Sequence, residues 1–211
     1  RPPRSTLFPY TTLFRSPIIV VLIILLLDQI LKVWIKTHML MGEEHKIFGN
    51  WFIIHFTENN GMAFGMELGG QTGKMILSIF RLFAVTAIGI YIYHLVKNKA
   101  NQGLIISISM IFAGALGNII DSMFYGMIFN DSYHQLATFL SAEGGYSSFL
   151  HGRVVDMLYF PIFEGHFPQW FPFWGSEQFI FFRPVFNIAD SSITIGVFII
   201  ILFQKKFFKH K

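Results

Sequence analysis

The sequence predicts an all-α membrane fold with four transmembrane helices, a small β-rich aromatic element and an extended outer loop. Hydrophobic residues make up 53% of the 211 residues and charged residues 13%, whereas soluble domains carry about 25% charged residues. The mean hydropathy is +0.53. Long apolar segments contain most of this hydrophobicity, and the polar residues collect near the segment ends. A chain with this pattern needs lipid as its solvent.

Four segments are long enough to cross the roughly 30 Å of bilayer hydrocarbon, which takes about 20 mainly apolar residues. The segments are residues 17–35, 75–96, 104–120 and 188–203. The third and fourth segments are slightly short, so we expect their ends to lie in protein or at the interface. Together they predict one membrane domain over residues 17–205, followed by a basic cytoplasmic tail over residues 206–211.

Residues 1–16 differ from the rest of the chain. They are rich in Arg, Ser and Thr, contain no acidic residue, and nearly repeat the tetrapeptide 5–8 at 11–14. We interpret this stretch as a non-native remnant. The alternatives are that it is a transit peptide or native sequence. The fold prediction does not include this stretch.

The lysines and arginines predict the orientation of the spans. The connection 97–102 and the C-terminal tail are lysine-rich, whereas acidic residues outnumber basic ones in the loops 37–74 and 122–187. Cytoplasmic loops carry the excess of Lys and Arg. We therefore expect both termini and the short connection on the cytoplasmic side, and the two long loops outside.

Both long loops contain aromatic segments. Residues 50–66 begin with a β-prone aromatic run that leads to an Asn-Asn-Gly turn, and residues 157–186 are dense in Phe, Trp and Pro. Such rings favour the membrane interface. They could equally form a platform that grips an acyl chain or an extended peptide, and both interpretations stay open.

Ionisable residues within the spans are costly and indicate function. Asp28 and Lys32 lie four residues apart on one helix face, which predicts an ion pair. The alternative is that Lys32 and Lys36 extend to the interface and Asp28 only pairs with one of them. Arg81, in the second span, should face the bundle or anchor the helix at the interface.

Carboxylates and amides collect at the predicted outer membrane face. Asn118 and Asp121 share a face at the end of the third span, Asp156 follows two valines, and Asp190 opens the fourth span. Simple interfacial charges, or a carboxylate at a helix N-terminus, are the alternatives. Two carboxylates held together share one proton, so one can activate water while the other polarises a peptide carbonyl.

Other chemistries lack their parts in this sequence. There is no cysteine, no Gly-x-Ser-x-Gly, no His-Glu-x-x-His and no P-loop. His55 and His151 are interpreted as structural. A channel, transporter or proton relay is the rival class and would predict an inverted repeat, which we do not find. A serine–lysine peptidase would need a serine suitably placed beside Lys32, and none is.

Five ordered motifs resemble the bacterial lipoprotein signal peptidase family, also called signal peptidase II, over residues 17–205. The motifs are Asp28-Gln29-x-x-Lys32, Asn59-x-Gly61-x-Ala63-Phe64, Gly114-Ala115-x-Gly117-Asn118-x-x-Asp121, Val154-Val155-Asp156 and Phe186-Asn187-x-Ala189-Asp190. The resemblance implies a membrane-embedded aspartyl endopeptidase. It would cut prolipoprotein signal peptides just before a lipid-modified cysteine, with Asp156 and Asp190 as the catalytic pair.

The resemblance also implies the surroundings of this pair. The expected supporting residues are Asp28, Lys32, Asn59, Gly61, Asn118, Asp121, Arg153, Asn187 and Ala189. No metal or other cofactor is expected, and no nucleic acid. The implied setting is the bacterial inner membrane, with the active site and the β-rich element on the periplasmic face. The expected partners are prolipoproteins, membrane lipid and globomycin-type inhibitors, and we expect a monomer.

Two departures from the family pattern concern the site. The family usually has Arg after the Asp of the third-span motif, where this chain has Ser122, and we consider Arg153 as a replacement cation. The stretch between Asp121 and Asp156 is also long for the family. Its insertion, about residues 127–150, is either a tolerated surface loop, which we favour, or a lid.

Overall fold

The structure is a computed structural model that describes residues 9–60, 70–142, 144–161, 163–166, 168–170, 172, 176, 178–181 and 184–208. Within these residues, four helices are long and apolar enough to cross a membrane. These helices correspond to α1 (Pro9–His38), α2 (Gly70–Lys97), α3 (Gln102–Ile120) and α5 (Ile188–Phe207). The four predicted spans therefore all occur as helices.

The helices are longer than the spans that the sequence predicted. α1 begins at Pro9, before the expected span start at residue 17. α3 continues through a π-helical turn (Asp121–Tyr125) into α4 (Gly126–Ile128), so the third apolar helix runs for 27 residues. This continuation explains why residues 104–120 looked short for a span. α3 begins where Asn101 caps the backbone N–H of Gly103 at 2.9 Å.

In the described part of the chain, six short strands accompany the helices. They are β1 (Glu44–Phe48), β2 (Phe52–Asn59), β3 (Val154–Tyr159), β4 (Phe163–His166), β5 (Gln178–Phe181) and β6 (Val185–Phe186). An antiparallel sheet has the order β1-β2-β3-β6, and β4 pairs with β5 separately. The predicted β-rich element is thus a sheet that joins both long loops. The predicted turn at Asn59-Asn60-Gly61 runs into residues 61–69, which lie outside the described residues.

Helix α3 is central because it packs against α1, α2 and α5. Its contact with α5 depends on glycine. A Cβ atom at Gly114 would lie 2.2 Å from the carbonyl oxygen of Ala189, and one at Gly117 would lie 2.8 Å from the carboxylate of Asp28. Gly114 therefore allows the backbones of α3 and α5 to approach closely, and Gly117 leaves room for the Asp28 side chain of α1.

A hydrophobic core joins the sheet to the bundle. It contains Ile35 and Met39 of α1, Phe56 of β2, Val155 and Met157 of β3, and Tyr125, Phe129 and Ala137 between α3 and β3. The last two residues belong to the insertion at about 127–150. The insertion is therefore partly buried in the core.

Further contacts fix the insertion to α1 and β2. Lys36 forms a buried ion pair with Glu58, and its Nζ donates to Ser132 Oγ at 2.7 Å. The backbone N–H of Ala137 donates to the carbonyl of Lys36 at 3.2 Å. The interpretation as a tolerated surface loop is thus wrong at Phe129, Ser132 and Ala137, which are almost fully buried, whereas residues 133–136 between them are exposed as in a surface loop.

Candidate active site

Asp156 lies in the middle of β3 with only 2% of its side chain exposed. Its Oδ2 accepts a hydrogen bond from Asn59 Nδ2 at 2.9 Å, and its Oδ1 accepts one from Asn187 Nδ2 at 2.7 Å. Asn59 is opposite Val154 in the sheet register. It is therefore a diagonal neighbour of Asp156 on the same sheet face.

Asp190 lies in the first turn of α5, where it forms a capping box with Asn187. Asn187 Oδ1 accepts from the backbone N–H of Asp190 at 2.9 Å, and Asp190 Oδ2 accepts from that of Asn187 at 3.4 Å. Asp190 Oδ1 accepts from Asn118 Nδ2 at 2.7 Å. The helix-terminal role considered for Asp190 is therefore real, and the residue also belongs to the polar cluster.

Asn187 links the two carboxylates. Its side-chain amide donates to Asp156 while its side-chain oxygen and backbone N–H contact Asp190. Asn118 completes the link because its amide donates to Asp190 and its Oδ1 accepts from Lys32 Nζ at 2.9 Å. Amides therefore orient both carboxylates.

Lys32 lies in the centre of the supporting charges. Its Nζ is 2.9 Å from Asp28 Oδ2 and 2.8 Å from Asp121 Oδ2, and all three side chains are at most 1% exposed. The predicted ion pair of Asp28 and Lys32 is confirmed. The alternative that Lys32 and Lys36 extend to the interface is wrong, because both are fully buried. Buried charges persist when they are paired in this way.

Asp28 and Asp121 hold the backbone next to the other two carboxylates. Asp28 Oδ1 accepts from the N–H of Ala189 at 2.9 Å, and Asp121 Oδ2 accepts from the N–H of Val155 at 3.3 Å. Each of these N–H groups immediately precedes Asp190 or Asp156 in the chain. Asp28 and Asp121 thus have positions typical of support.

Burial and charge perturb Asp156. Removal from water raises the pKa of Asp156 to about 7, and the nearby charge of Asp190 adds to this effect. Hydrogen bonds from Asn59 and Asn187 and the charge of Lys32 oppose the shift only in part. Near neutral pH Asp156 can therefore hold a proton.

Arg153 does not lie with the pair. Its Nη1 donates to Glu58 Oε2 at 2.9 Å and to Asp131 Oδ1 at 3.1 Å, and its guanidinium lies over the ring of Tyr146. The expectation that Arg153 replaces the family arginine is therefore wrong. Ser122 does not replace it either, because its hydroxyl donates to the carbonyl of Asn118 at 3.1 Å.

The remaining expectations have separate outcomes. Gly61 lies outside the described residues. His55 contacts Glu44, and His151 contacts Ser148 and the carbonyl of Phe149, which agrees with their structural interpretation. In the part of the chain that the structure describes, no group of three or more His, Cys, Asp or Glu side chains is arranged to hold a metal ion.

Two residues of the cluster, Gln29 and Arg81, were not predicted as site residues. Gln29 donates to Asp121 Oδ1 at 2.9 Å and accepts from the Tyr125 hydroxyl at 3.2 Å. Arg81 of α2 interacts electrostatically with Asp190 and Asp156. Both are polar residues within apolar helices, and this could have marked them in the sequence. The sequence does not show, however, which carboxylates Arg81 approaches.

The fold and the cluster define a membrane-spanning protein with an enzyme-like site of oriented carboxylates at one end of a helix bundle. Comparison with known proteins specifies this class. The family described as Signal peptidase (SPase) II matches residues 20–206. The chain is 49% identical over 194 residues to a lipoprotein signal peptidase of Porphyromonas gingivalis, with 89% of this chain and 83% of the relative covered.

A second relative and a solved structure point to the same family. A lipoprotein signal peptidase of Amoebophilus asiaticus is 38% identical over 186 residues, with 87% of this chain and 75% of the relative covered. A bacterial membrane enzyme solved by the in meso method matches with a TM-score of 0.57 and 29% identity, covering 93% of this chain and 92% of that chain. The chain belongs to the signal peptidase II family, and it is therefore a membrane protease whose family removes signal peptides from prolipoproteins.

Proposed function

We propose that this protein is an aspartyl endopeptidase that cuts diacylglyceryl-modified prolipoproteins just before the lipidated cysteine. The observation that carries the proposal is the link from Asp156 through Asn187 to Asp190. Asp28 and Asp121 are occupied by Lys32 and by backbone N–H groups. Asp156 and Asp190 are thus the pair best placed for chemistry, in agreement with the family motifs.

The proposed reaction uses a water molecule held between the two carboxylates. The ionised carboxylate takes a proton from the water, whose oxygen attacks the scissile carbonyl carbon. The protonated carboxyl donates to the carbonyl oxygen and stabilises the tetrahedral intermediate. When the C–N bond breaks, the leaving amine takes a proton from the pair, and the pair returns to its starting state. The two protons titrate as properties of the pair.

An aromatic platform supports the substrate class. We use this name for Phe48, Trp51, Phe52, Phe160 and Phe186. The rings of Phe52 and Phe160 stack at 4.7 Å, and Phe160 also stacks with Phe186 at 5.7 Å. Phe48 and Trp51 are more than half exposed. Because Phe160 follows β3 closely after Asp156, the platform is suited to hold an acyl chain or an extended peptide leading to the site.

The proposed setting is the bacterial inner membrane, with both termini in the cytoplasm and the dyad on the periplasmic side. The basic connection 97–102 and the basic C-terminal tail support this orientation. We expect the protein to act as a monomer. Membrane lipid would surround the spans, and globomycin-type inhibitors would occupy the substrate channel.

The test is cleavage of a diacylglyceryl-modified prolipoprotein by purified protein in lipid. Asp156→Asn and Asp190→Asn should each lower kcat by about 10³-fold or more, since either change removes one of the two proton-transfer groups. Asp131→Asn is the matched control, because Asp131 pairs with Arg153 away from the dyad, and it should cleave at the wild-type rate. Chelators should have no effect.

Two results would contradict the proposal. If folded wild-type protein did not cleave the modified substrate, the substrate assignment would be wrong. If Asp156→Asn still cleaved whereas Asp121→Asn did not, the peptidase activity would stand and the choice of partner for Asp190 would be wrong. Melting temperatures of all variants establish that the losses are not due to unfolding.

A further inference from the structure

One face of α2 turns toward the rest of the protein. Ser78 and Val85 are 3% and 6% exposed, and Arg81 lies between them, three residues after the first and four before the second. Residues at this spacing share one helix face. Ser78 Oγ donates to the carbonyl of Leu150 at 3.0 Å, so this face lies against the segment that leads into β3.

Arg81 lies on this covered face and is only partly exposed. Helical side chains lean toward the helix N-terminus, which directs its guanidinium toward the end of the bundle where α5 begins. The carboxylates that act on it are Asp190, with the larger effect, and Asp156. A guanidinium in an apolar span is costly unless it has such partners.

Other cations near the site are engaged elsewhere. Lys32 pairs with Asp28 and Asp121, Lys36 pairs with Glu58, and Arg153 pairs with Glu58 and Asp131. Lys32 also acts on Asp156 over a longer range. Among the described residues, the carboxylates recorded as acting on Arg81 are Asp190 and Asp156, and in this Arg81 differs from the other three cations.

We propose that Arg81 is a positioning residue of the dyad, which fixes the negative charge of the pair on Asp190 and leaves the proton on Asp156. This inference rests on the proposed function. The more exposed carboxylate, Asp190, is the one that Arg81 affects most, whereas Asp156 lies almost fully buried between two amides. Asp190 is then the general base, and Asp156 is the acid that donates to the scissile carbonyl.

Removal of the cation should displace the pH dependence of cleavage. Without the cation, negative charge on the dyad is less favourable, so in Arg81→Gln the whole kcat/KM profile, which reports the pair as a unit, should move upward by roughly 1 pH unit. Cleavage would then fall most below neutral pH. Arg81→Lys keeps the charge on a shorter side chain, so it should move the profile less in the same direction. Asp28, Lys32 and Asp121, which also border the dyad, are the same in every variant.

Lys97→Gln is the matched control. It removes a cation from the exposed C-terminal end of the same helix, and its profile should coincide with that of the wild type. A purely structural role for Arg81 predicts a uniform loss of rate without displacement, and that result in Arg81→Gln or Arg81→Lys would overturn the inference. The lysine variant serves if the glutamine variant does not fold.

A second measurement does not depend on cleavage. If Arg81 compensates the charge of the dyad, the melting temperature of Arg81→Gln should fall more steeply than that of the wild type between pH 5 and 8. Parallel melting curves would overturn the inference. An inactive wild type with a steeper Arg81→Gln curve would instead reject the proposed substrate and retain the role of Arg81 at the dyad.

Discussion

Asp28, Asp121, Asp156 and Asp190 lie in one hydrogen-bonded network, yet their neighbours differ. Lys32 pairs directly with the first two, which also accept from backbone N–H groups and from Gln29, whereas asparagine side chains orient the last two. A carboxylate paired with a buried lysine holds structure, whereas a carboxylate beside another carboxylate can exchange a proton. The partners of each side chain therefore separate the proposed roles of four chemically identical residues.

At the residue scale, Asp156 should make stability depend on pH. Its pKa is about 7 in the folded protein and about 3.9 in an unfolded chain. The folded state thus binds the proton more tightly, so the contribution to stability is most favourable below about pH 4 and is lost as pH rises to about 7. Asp156→Asn removes this dependence. Its free energy of unfolding relative to wild type should rise by about 2 kcal/mol from pH 5 to pH 8.

Chemical unfolding in detergent at several pH values checks this expectation, with Asp131→Asn as the control. Burial alone would raise the pKa of Asp131, but hydrogen bonds from Arg153 lower it below its usual value. Its contribution is therefore complete above about pH 4 and constant from pH 5 to pH 8. A difference between Asp156→Asn and wild type that does not change with pH would show that Asp156 is ionised throughout this range.

At the element scale, the contact of α3 with α5 places the site. Asn118 of α3 donates to Asp190 of α5 at 2.7 Å, and Gly114 lies one turn earlier on α3. Because the carbonyl of Ala189 occupies the space where a side chain at Gly114 would be, the helix separation and the hydrogen bond depend on the same glycine. The separation also positions Ala189 for its hydrogen bond to Asp28.

Gly114→Ala should therefore destabilise the protein and lower its activity. The added methyl would lie 2.2 Å from a backbone oxygen, and overpacking of this kind costs about 1–3 kcal/mol. Gly89→Ala is the control, because its added methyl meets only the side chain of Phe112 at 3.3 Å. Thermal unfolding and cleavage rates measure both variants. Equal melting temperatures for the two would mean that α3 and α5 can separate without loss.

At the scale of the whole molecule, the position of the insertion depends on the orientation of the protein in the membrane. The buried pair of Lys36 and Glu58 and the hydrogen bonds of Ser132 join α1, β2 and the insertion at the end of the bundle that carries the dyad. In the proposed orientation, this whole assembly lies outside the cytoplasm. The insertion should then be accessible from the periplasm, and the connection between α2 and α3 should be accessible only from the cytoplasm.

Cysteine labelling tests the orientation cleanly, because the chain has no cysteine of its own. Leu140→Cys, at a position that is 68% exposed, should react with a membrane-impermeant maleimide once the outer membrane is permeable to it. Asn98→Cys, in the exposed connection after α2, should react only after the inner membrane is permeabilised. The reverse pattern would mean that the basic connection faces outward and that the proposed topology is inverted.

The sequence was sufficient to predict the features of the protein that depend on the local pattern of residues. Apolar length predicted the four helices, and the spacing of Asp28 and Lys32 predicted their ion pair. The π-helical turn after α3 and the pairing of β2 with β3 were not predicted, because the first interrupts an otherwise regular helix and the second joins segments almost one hundred residues apart. The burial of the insertion was misjudged since its Ser, Gly and Tyr content is also typical of surface loops.

By itself, the sequence determined the membrane class, the four spans and the set of polar residues from which a site could be built. Hydrophobic length and residue type are properties of each segment, so they can be read before folding. Only the tertiary structure decided which of these residues meet. It joined Asp156 to Asp190 through Asn187, assigned Asp121 to Lys32 and separated Arg153 from the dyad. Such assignments depend on helix packing and strand register, which bring together residues far apart in the chain.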